Sequence, residues 1–185
     1  RLLGPRVWWN FRVMGHDRVF VLDGGLPKWI AEDHPVETGW REPPHGEFKA
    51  EFHPELVRHL DEVKSALANG SAQLVDARAA ARFRGEEPEP RPGVRPGHMP
   101  GALNTHYAGI IAEDGTLKEA EAIRERFESA KVDLERPIIT TCGSGISAAI
   151  LALGLARIGR DDVAVYDGSW AEWGSSPDTP VATGA

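Results

Sequence analysis

Residues 138–150 read Ile138-Ile139-Thr140-Thr141-Cys142-Gly143-Ser144-Gly145-Ile146-Ser147-Ala148-Ala149-Ile150. A short β-rich apolar run leads straight into a cysteine, a glycine-rich turn and an alanine- and leucine-rich segment. This order predicts a buried strand, a tight loop and a buried helix. The sulfur is then expected at the C-terminal end of a strand, where the turn and the first helical turn can aim several backbone N–H groups at one point. Such donors favour a thiolate over a thiol and would equally cradle an anionic adduct on the sulfur. Gly143 and Gly145 let the backbone curl, and Ser144 can add a hydroxyl donor. A buried, inert cysteine is the competing reading, since cysteine is among the most buried residue types. The strand-loop-helix context weighs against it.

Outward from this loop the chain alternates short apolar strands with amphipathic helices. Residues 55–68 carry apolar side chains at 56, 60, 63 and 67, one face of a helix closed by Asn69-Gly70. Gln73-Leu74-Val75 and Val163 to Tyr166 read as strands, residues 118–130 as a second helix, and Leu103 as the centre of a short strand after the Gly97-His98 turn. The pattern predicts an α/β fold, a parallel sheet with helices on both faces, whose sites lie beyond the strand C-termini. The uncharged stretch 137–156 is long enough to span a bilayer. Its Thr, Cys, Ser and Gly residues instead assign it to the strand, loop and helix already described.

An internal repeat organises the rest. Gly15-x-Asp17-x-Val19-x-Val21-x-Asp23-Gly24 with Trp29 returns 144 positions later as Gly159-x-Asp161-x-Val163-x-Val165-x-Asp167-Gly168 with Trp173. Each copy reads as a helix end, a short strand (VFVL, VAVY), a glycine turn and a tryptophan-anchored helix. The same offset places a counterpart of Cys142 before Arg1, so the first copy is expected to begin upstream. Residues 1–37 are therefore expected to be the C-terminal part of an earlier, inactive domain. Residues 38–50, with Pro43-Pro44, form a linker, and residues 51–185 form the complete domain. Trp8, Trp9, Trp29, Trp170 and Trp173 are expected in the core or at a domain interface.

Composition narrows the function classes. Among 185 residues, 21 basic and 28 acidic side chains leave a net charge of −7, which argues against a nucleic-acid or anionic-membrane partner. A single cysteine excludes an intramolecular disulfide and suits a reducing compartment, and no signal peptide is evident at the N-terminus, so the cytoplasm is expected. The seven histidines show no metal-ligand spacing, and no metal or cofactor is expected. Within this acidic chain, Arg78, Arg82, Arg84, Arg91 and Arg95 fall inside eighteen residues. They follow a strand end on the same sheet edge as Cys142, which suits a small anionic substrate. A solvated surface paired with Glu86, Glu87 and Glu89 is the alternative. A cysteine phosphatase would need an arginine six residues after the cysteine, where this chain has Ala148, so the shorter loop suits a persulfide better than a phosphoryl group. His98 is read as a structural histidine and Asp76 as an organiser of its loop.

These segments resemble the rhodanese-type sulfurtransferases. The matching residues are VDAR at 75–78, RFRGEEPEPRPGVRPGHMPGALN at 82–104, CGSGISA at 142–148 and YDGSWAEW at 166–173, with PRVWWNF at 5–11 and VLDGGLPKW at 21–29 resembling the tail of a first domain. Within that family CGSG resembles the mercaptopyruvate branch, whereas basic residues after the cysteine mark thiosulfate enzymes. The resemblance implies a rhodanese-like domain in which Cys142 is the persulfide-forming nucleophile and residues Gly143, Ser144, Gly145, Ile146 and Ser147 complete the loop. It also implies that Arg82 and Arg91 hold the donor's carboxylate and keto oxygen, while Arg95 has no assigned contact and should cost little in kcat/KM when changed to Ala. Ile146-Ser147 departs mildly from the usual Val-Thr. The implied partners are a small anionic sulfur donor, a thiol or cyanide acceptor, and the remaining N-terminal half of the first domain, in cis or in trans. Thiosulfate as donor, and a non-catalytic rhodanese-like binding module, are the alternatives.

Overall fold

The computed structural model describes residues 3–184. Five strands, β1 (Val57–Arg58), β2 (Gln73–Asp76), β3 (Leu103–Asn104), β4 (Ile138–Thr141) and β5 (Ala164–Tyr166), form one sheet in the order β1-β5-β4-β2-β3. Every pairing is parallel. β4 lies at the centre, so the residue that follows it, Cys142, sits in the middle of the C-terminal edge. The loops after β2 and β5 flank it.

Strand alternation divides the side chains between two cores. Val75, Ile138 and Val165 point to one, with α1 (Leu3–Val13), α5 (Ala120–Ser129) and α6 (Ala148–Arg157) over them. Leu74, Ile139 and Tyr166 point to the other, covered by α3 (Leu60–Asn69) and by Trp170 and Trp173 of α7 (Ser169–Trp173). Both tryptophans are almost fully buried. Their indole N–H groups donate to Arg95 O and Pro180 O at 2.9 and 2.8 Å, so neither ring leaves a polar atom stranded. A short α4 (Ala80–Phe83) follows β2. Among the described residues no helix is long and apolar enough to cross a membrane.

The helix expected at 55–68 begins later. Pro54–Leu56 is a single 3-10 turn, Val57 and Arg58 pair with β5, and α3 starts at Leu60. Pro54 and the extended His59 keep the first residues out of the helix. Glu62 closes its N-terminus by accepting the His59 N–H at 2.8 Å. Gly70, at φ 66°, ends it as the Asn-Gly pair predicts.

In the first copy of the repeat, α1 and α2 (Gly25–Ala31) lie 144 positions before the segments holding α6 and α7. Gly25 and Ser169, equivalent in the repeat, both take positive φ, 62° and 53°. The strand expected at 19–22 does not form: Phe20 is 90% exposed, and no described strand lies beside it to accept its backbone bonds. Trp8 and Trp9 are buried against α6, whereas Trp29 is only half-buried, its N–H donating to Pro35 O. Residues 38–50 are exposed and carry neither helix nor strand.

The C-terminal segment folds back on the arginine-rich one. His98 and Ala182 exchange backbone bonds of 2.8 and 2.9 Å. Arg95, expected to matter little for turnover, has a structural part in the fold. Its guanidinium donates to the carbonyls of Trp173, Gly174 and Ser176 and to Thr179 Oγ1. Carbonyls at the end of a short helix need donors, and the planar guanidinium serves several at once. Arg95→Ala should therefore lower stability by about 2 to 3 kcal/mol through loss of charge-assisted bonds. A lower urea midpoint at unchanged slope would show it.

Candidate active site at the sheet's C-terminal edge

Cys142 is 2% exposed and opens the loop between β4 and α6. Its N–H turns away from the sulfur and donates to Ser169 Oγ at 3.3 Å, while Ser169 Oγ donates to Tyr166 O at 2.9 Å. The Ser144 N–H turns inward and donates to Sγ at 3.4 Å. α7 fixes this orientation from outside: Trp170 N–H donates to Cys142 O and Ala171 N–H to Gly143 O, both at 2.9 Å. With two successive carbonyls pulled outward, the following amide is left facing the sulfur. Gly145 completes the curl at φ 79°. A Cβ there would stand 2.8 Å from Arg6 Nη1 and 2.9 Å from Asp167 O, so only glycine fits.

The arginines of the second constellation separate by burial. Arg78, with 1% of its side chain exposed, binds both carboxylate oxygens of Asp76, Glu89 Oε1 at 2.8 Å and Gly97 O at 2.8 Å, with its guanidinium 4.7 Å from the Trp170 ring centre. Its donors are spent within the protein. Arg82 is 27% exposed, pairs with Glu89 at 2.5 Å, and brings Nη2 to 3.1 Å from where a side chain on Gly143 would begin. It borders the cysteine loop and keeps an open side. Arg91 is exposed, and its side chain makes no hydrogen bond or ion pair among the described residues. Arg84 forms an exposed pair with Glu86.

His98 is buried, stacks on Phe83 with ring centres 3.8 Å apart, and bonds Phe83 O through Nδ1 at 2.8 Å. It is spoken for structurally, as its turn suggests. Asp76 accepts the Arg78 backbone N–H and side chain, which makes it the organiser of its loop. Three contributors escape a reading of the sequence. Glu89 looks like one acid in an EEPEP run, yet its side chain is 4% exposed between two guanidinium groups. Ser169 replaces a repeat glycine and uses its hydroxyl on the Cys142 amide. Arg6 arrives from α1, 139 positions before Gly145, with no local signal.

A parallel α/β sheet that presents a glycine-turned cysteine loop at its C-terminal edge, with an arginine beside the loop, defines the class of domain. The family model for the rhodanese-like domain matches residues 59–176, and the chain belongs to that family. It is 45% identical to human 3-mercaptopyruvate sulfurtransferase over 169 residues, covering 91% of this chain and 57% of the relative. It is 43% identical to rat thiosulfate sulfurtransferase over 183 residues, covering 97% of this chain and 62% of the relative. The structure of SseA from Escherichia coli, a 3-mercaptopyruvate sulfotransferase, superposes with a TM-score of 0.79 at 42% identity, covering 90% of this chain and 62% of that one. The chain thus spans about three fifths of the length of these relatives.

Ser169→Ala removes the acceptor of the buried Cys142 N–H and the donor to Tyr166 O. It should cost about 1 to 3 kcal/mol of unfolding free energy, measured by chemical denaturation of the two proteins side by side.

Proposed function

We propose that the chain carries the catalytic domain of a sulfurtransferase that takes sulfur from 3-mercaptopyruvate and passes it through a Cys142 persulfide to a thiol or cyanide. The observation that carries this reading is the Cys142 loop with Arg82 against it, an inward amide on the sulfur and a partly open guanidinium at its rim. In the first half-reaction the Cys142 thiolate attacks the donor's thiol sulfur. The carbon–sulfur bond breaks and its electron pair leaves with pyruvate as the enolate, which then takes a proton. In the second, an acceptor thiolate or cyanide attacks the outer sulfur and Cys142 departs as thiolate. The two steps form a ping-pong cycle.

Residues Gly143 to Ser147 would hold the persulfide. Arg82, facing the loop, would bind the donor's carboxylate and stabilise the enolate charge. Arg91, exposed on the neighbouring turn, would close on the substrate when it binds. Gly143 supports the choice of donor: its missing side chain lets Arg82 lie against the cysteine loop, whereas a long basic residue there would displace it. Residues 1–37 would be the tail of an earlier copy of the domain and 38–50 its linker to 51–185, a reading supported by the matched positions of α1 with α6 and α2 with α7. The remaining half of that copy, in cis or in trans, would be the partner that completes the site. The single cysteine, which permits no intramolecular disulfide, supports placement in the cytoplasm.

The direct test is intact mass after incubation with mercaptopyruvate. One added sulfur on the parent and none on Cys142→Ser, which should keep its fold and lose all turnover, is the expected result. Uptake by the serine variant would place the chemistry elsewhere. Preference for thiosulfate over mercaptopyruvate in kcat/KM would overturn the choice of donor.

The clamp is tested separately. Arg82→Ala and Arg91→Ala should each lower kcat/KM roughly ten- to a hundredfold, the effect of losing a charge-assisted bond. Near-parent values for both variants would return the cluster to a solvated surface.

A further inference from the structure

We infer that Arg6, from α1, is a positioning residue for the Cys142 loop. Its Nη1 donates to Gly145 O at 3.3 Å and to Asp167 Oδ1 at 2.6 Å. Behind it, the guanidinium lies 4.6 Å from the ring centre of Trp9, which is buried and anchored through its own N–H to Leu56 O. One planar group therefore ties together the two segments that shape the loop. The first is the left-handed residue Gly145, and the second is the turn after β5 that carries Asp167 and Ser169.

The chemistry of the tie follows from the direction of the Gly145 carbonyl. A residue at positive φ reverses the path of the backbone, and its carbonyl needs a donor on the outside of the turn if the amides are to stay inside. Trp170 and Ala171 do this for Cys142 and Gly143. Arg6 does it for Gly145. Released, that carbonyl could swing inward and set its negative end against an anionic sulfur, which opposes the charge the loop must stabilise. Arg6 bonds Gly145 O and Asp167 and makes no hydrogen bond to Sγ among the described residues, so its effect falls on the chemical step through the shape of the loop. It also lies outside the 59–176 stretch matched by the family model, on a helix that shares the core of α6.

The inference rests on the sulfur-transfer reading of Cys142, and one experiment separates the two. Sulfur loading of Cys142 is followed by rapid-quench intact mass in the full-length protein, with steady-state kinetics beside it, for the parent, Arg6→Ala and Arg6→Lys. Arg6→Ala should load sulfur and turn over about tenfold more slowly, as expected for a lost charge-assisted bond, with KM for the donor unchanged. Arg6→Lys, whose ammonium can still reach an acceptor, should regain at least a third of the parent rate. Loading by Arg6→Ala at the parent rate overturns the inference. So does a loss that lysine fails to rescue and that comes with a raised KM and a lowered melting temperature, the signature of a purely structural contact. A parent protein that takes up no sulfur overturns the sulfur-transfer reading, and the inference falls with it.

Discussion

A guanidinium with 1% of its side chain exposed has to be neutralised inside the protein, and the way Arg78 is neutralised sets the geometry of the sheet's C-terminal edge. Asp76, the last residue of β2, takes two of its donors, and Glu89 takes another from across a proline-rich loop. Gly97 O and the face of Trp170 complete the enclosure. The loop after β2 is thereby fastened to its own strand, to residues 89–97 and to α7. Glu89 then has one oxygen left for Arg82, which is how Arg82 is delivered to the cysteine loop. Removing either carboxylate would strand buried positive charge, so the network specifies its arrangement more firmly than it adds stability.

The cysteine loop is held by the complementary constraint. Carbonyls turned outward need donors, and two elements far apart in sequence supply them: the start of α7 for Cys142 and Gly143, and α1 for Gly145. The Cys142 amide is held by Ser169, whose positive φ of 53° is unusual for a residue with a side chain. Two hydroxyl bonds and the burial of Trp170 and Trp173 offset that strain. α7 is only five residues long, too short to be stable alone. Its indoles fix it, and through it they fix the loop.

Periodicity made β2, β4, β5, α5 and α6 legible in the sequence, because each buries a continuous apolar set whose spacing survives in one dimension. It misplaced the start of α3, since Leu56 falls on the helical face by spacing yet belongs to a turn ended by strand pairing. The strand expected at 19–22 shows the limit of the method from the other side. VFVL has the composition of a buried strand, but a strand exists only where another strand takes its hydrogen bonds. Cys142 and its glycines were legible because loop chemistry is local. The partners that aim them, Glu89, Ser169 and Arg6, were not, because a residue's role in a network depends on neighbours brought from other elements.

The arginines show why residue type alone cannot assign function. In sequence Arg78, Arg82, Arg91 and Arg95 are equivalent charges in one basic stretch of an acidic chain. In the fold they are sorted by how many of their donors the protein itself consumes. Arg78 is buried among carboxylates and a carbonyl, and Arg95 commits its Nε and Nη2 to carbonyls and the Thr179 hydroxyl, so both spend most of their donors holding the edge together. Arg82 is half committed, fixed by Glu89 at one side and open at the other, which is what a pre-organised anion contact requires. Arg91 is exposed and its side chain has no partner among the described residues, so it can move to a ligand only at the entropic cost of ordering a long side chain. A donor that used both would therefore meet one fixed charge and one that folds over it, with Glu89 deciding which is which.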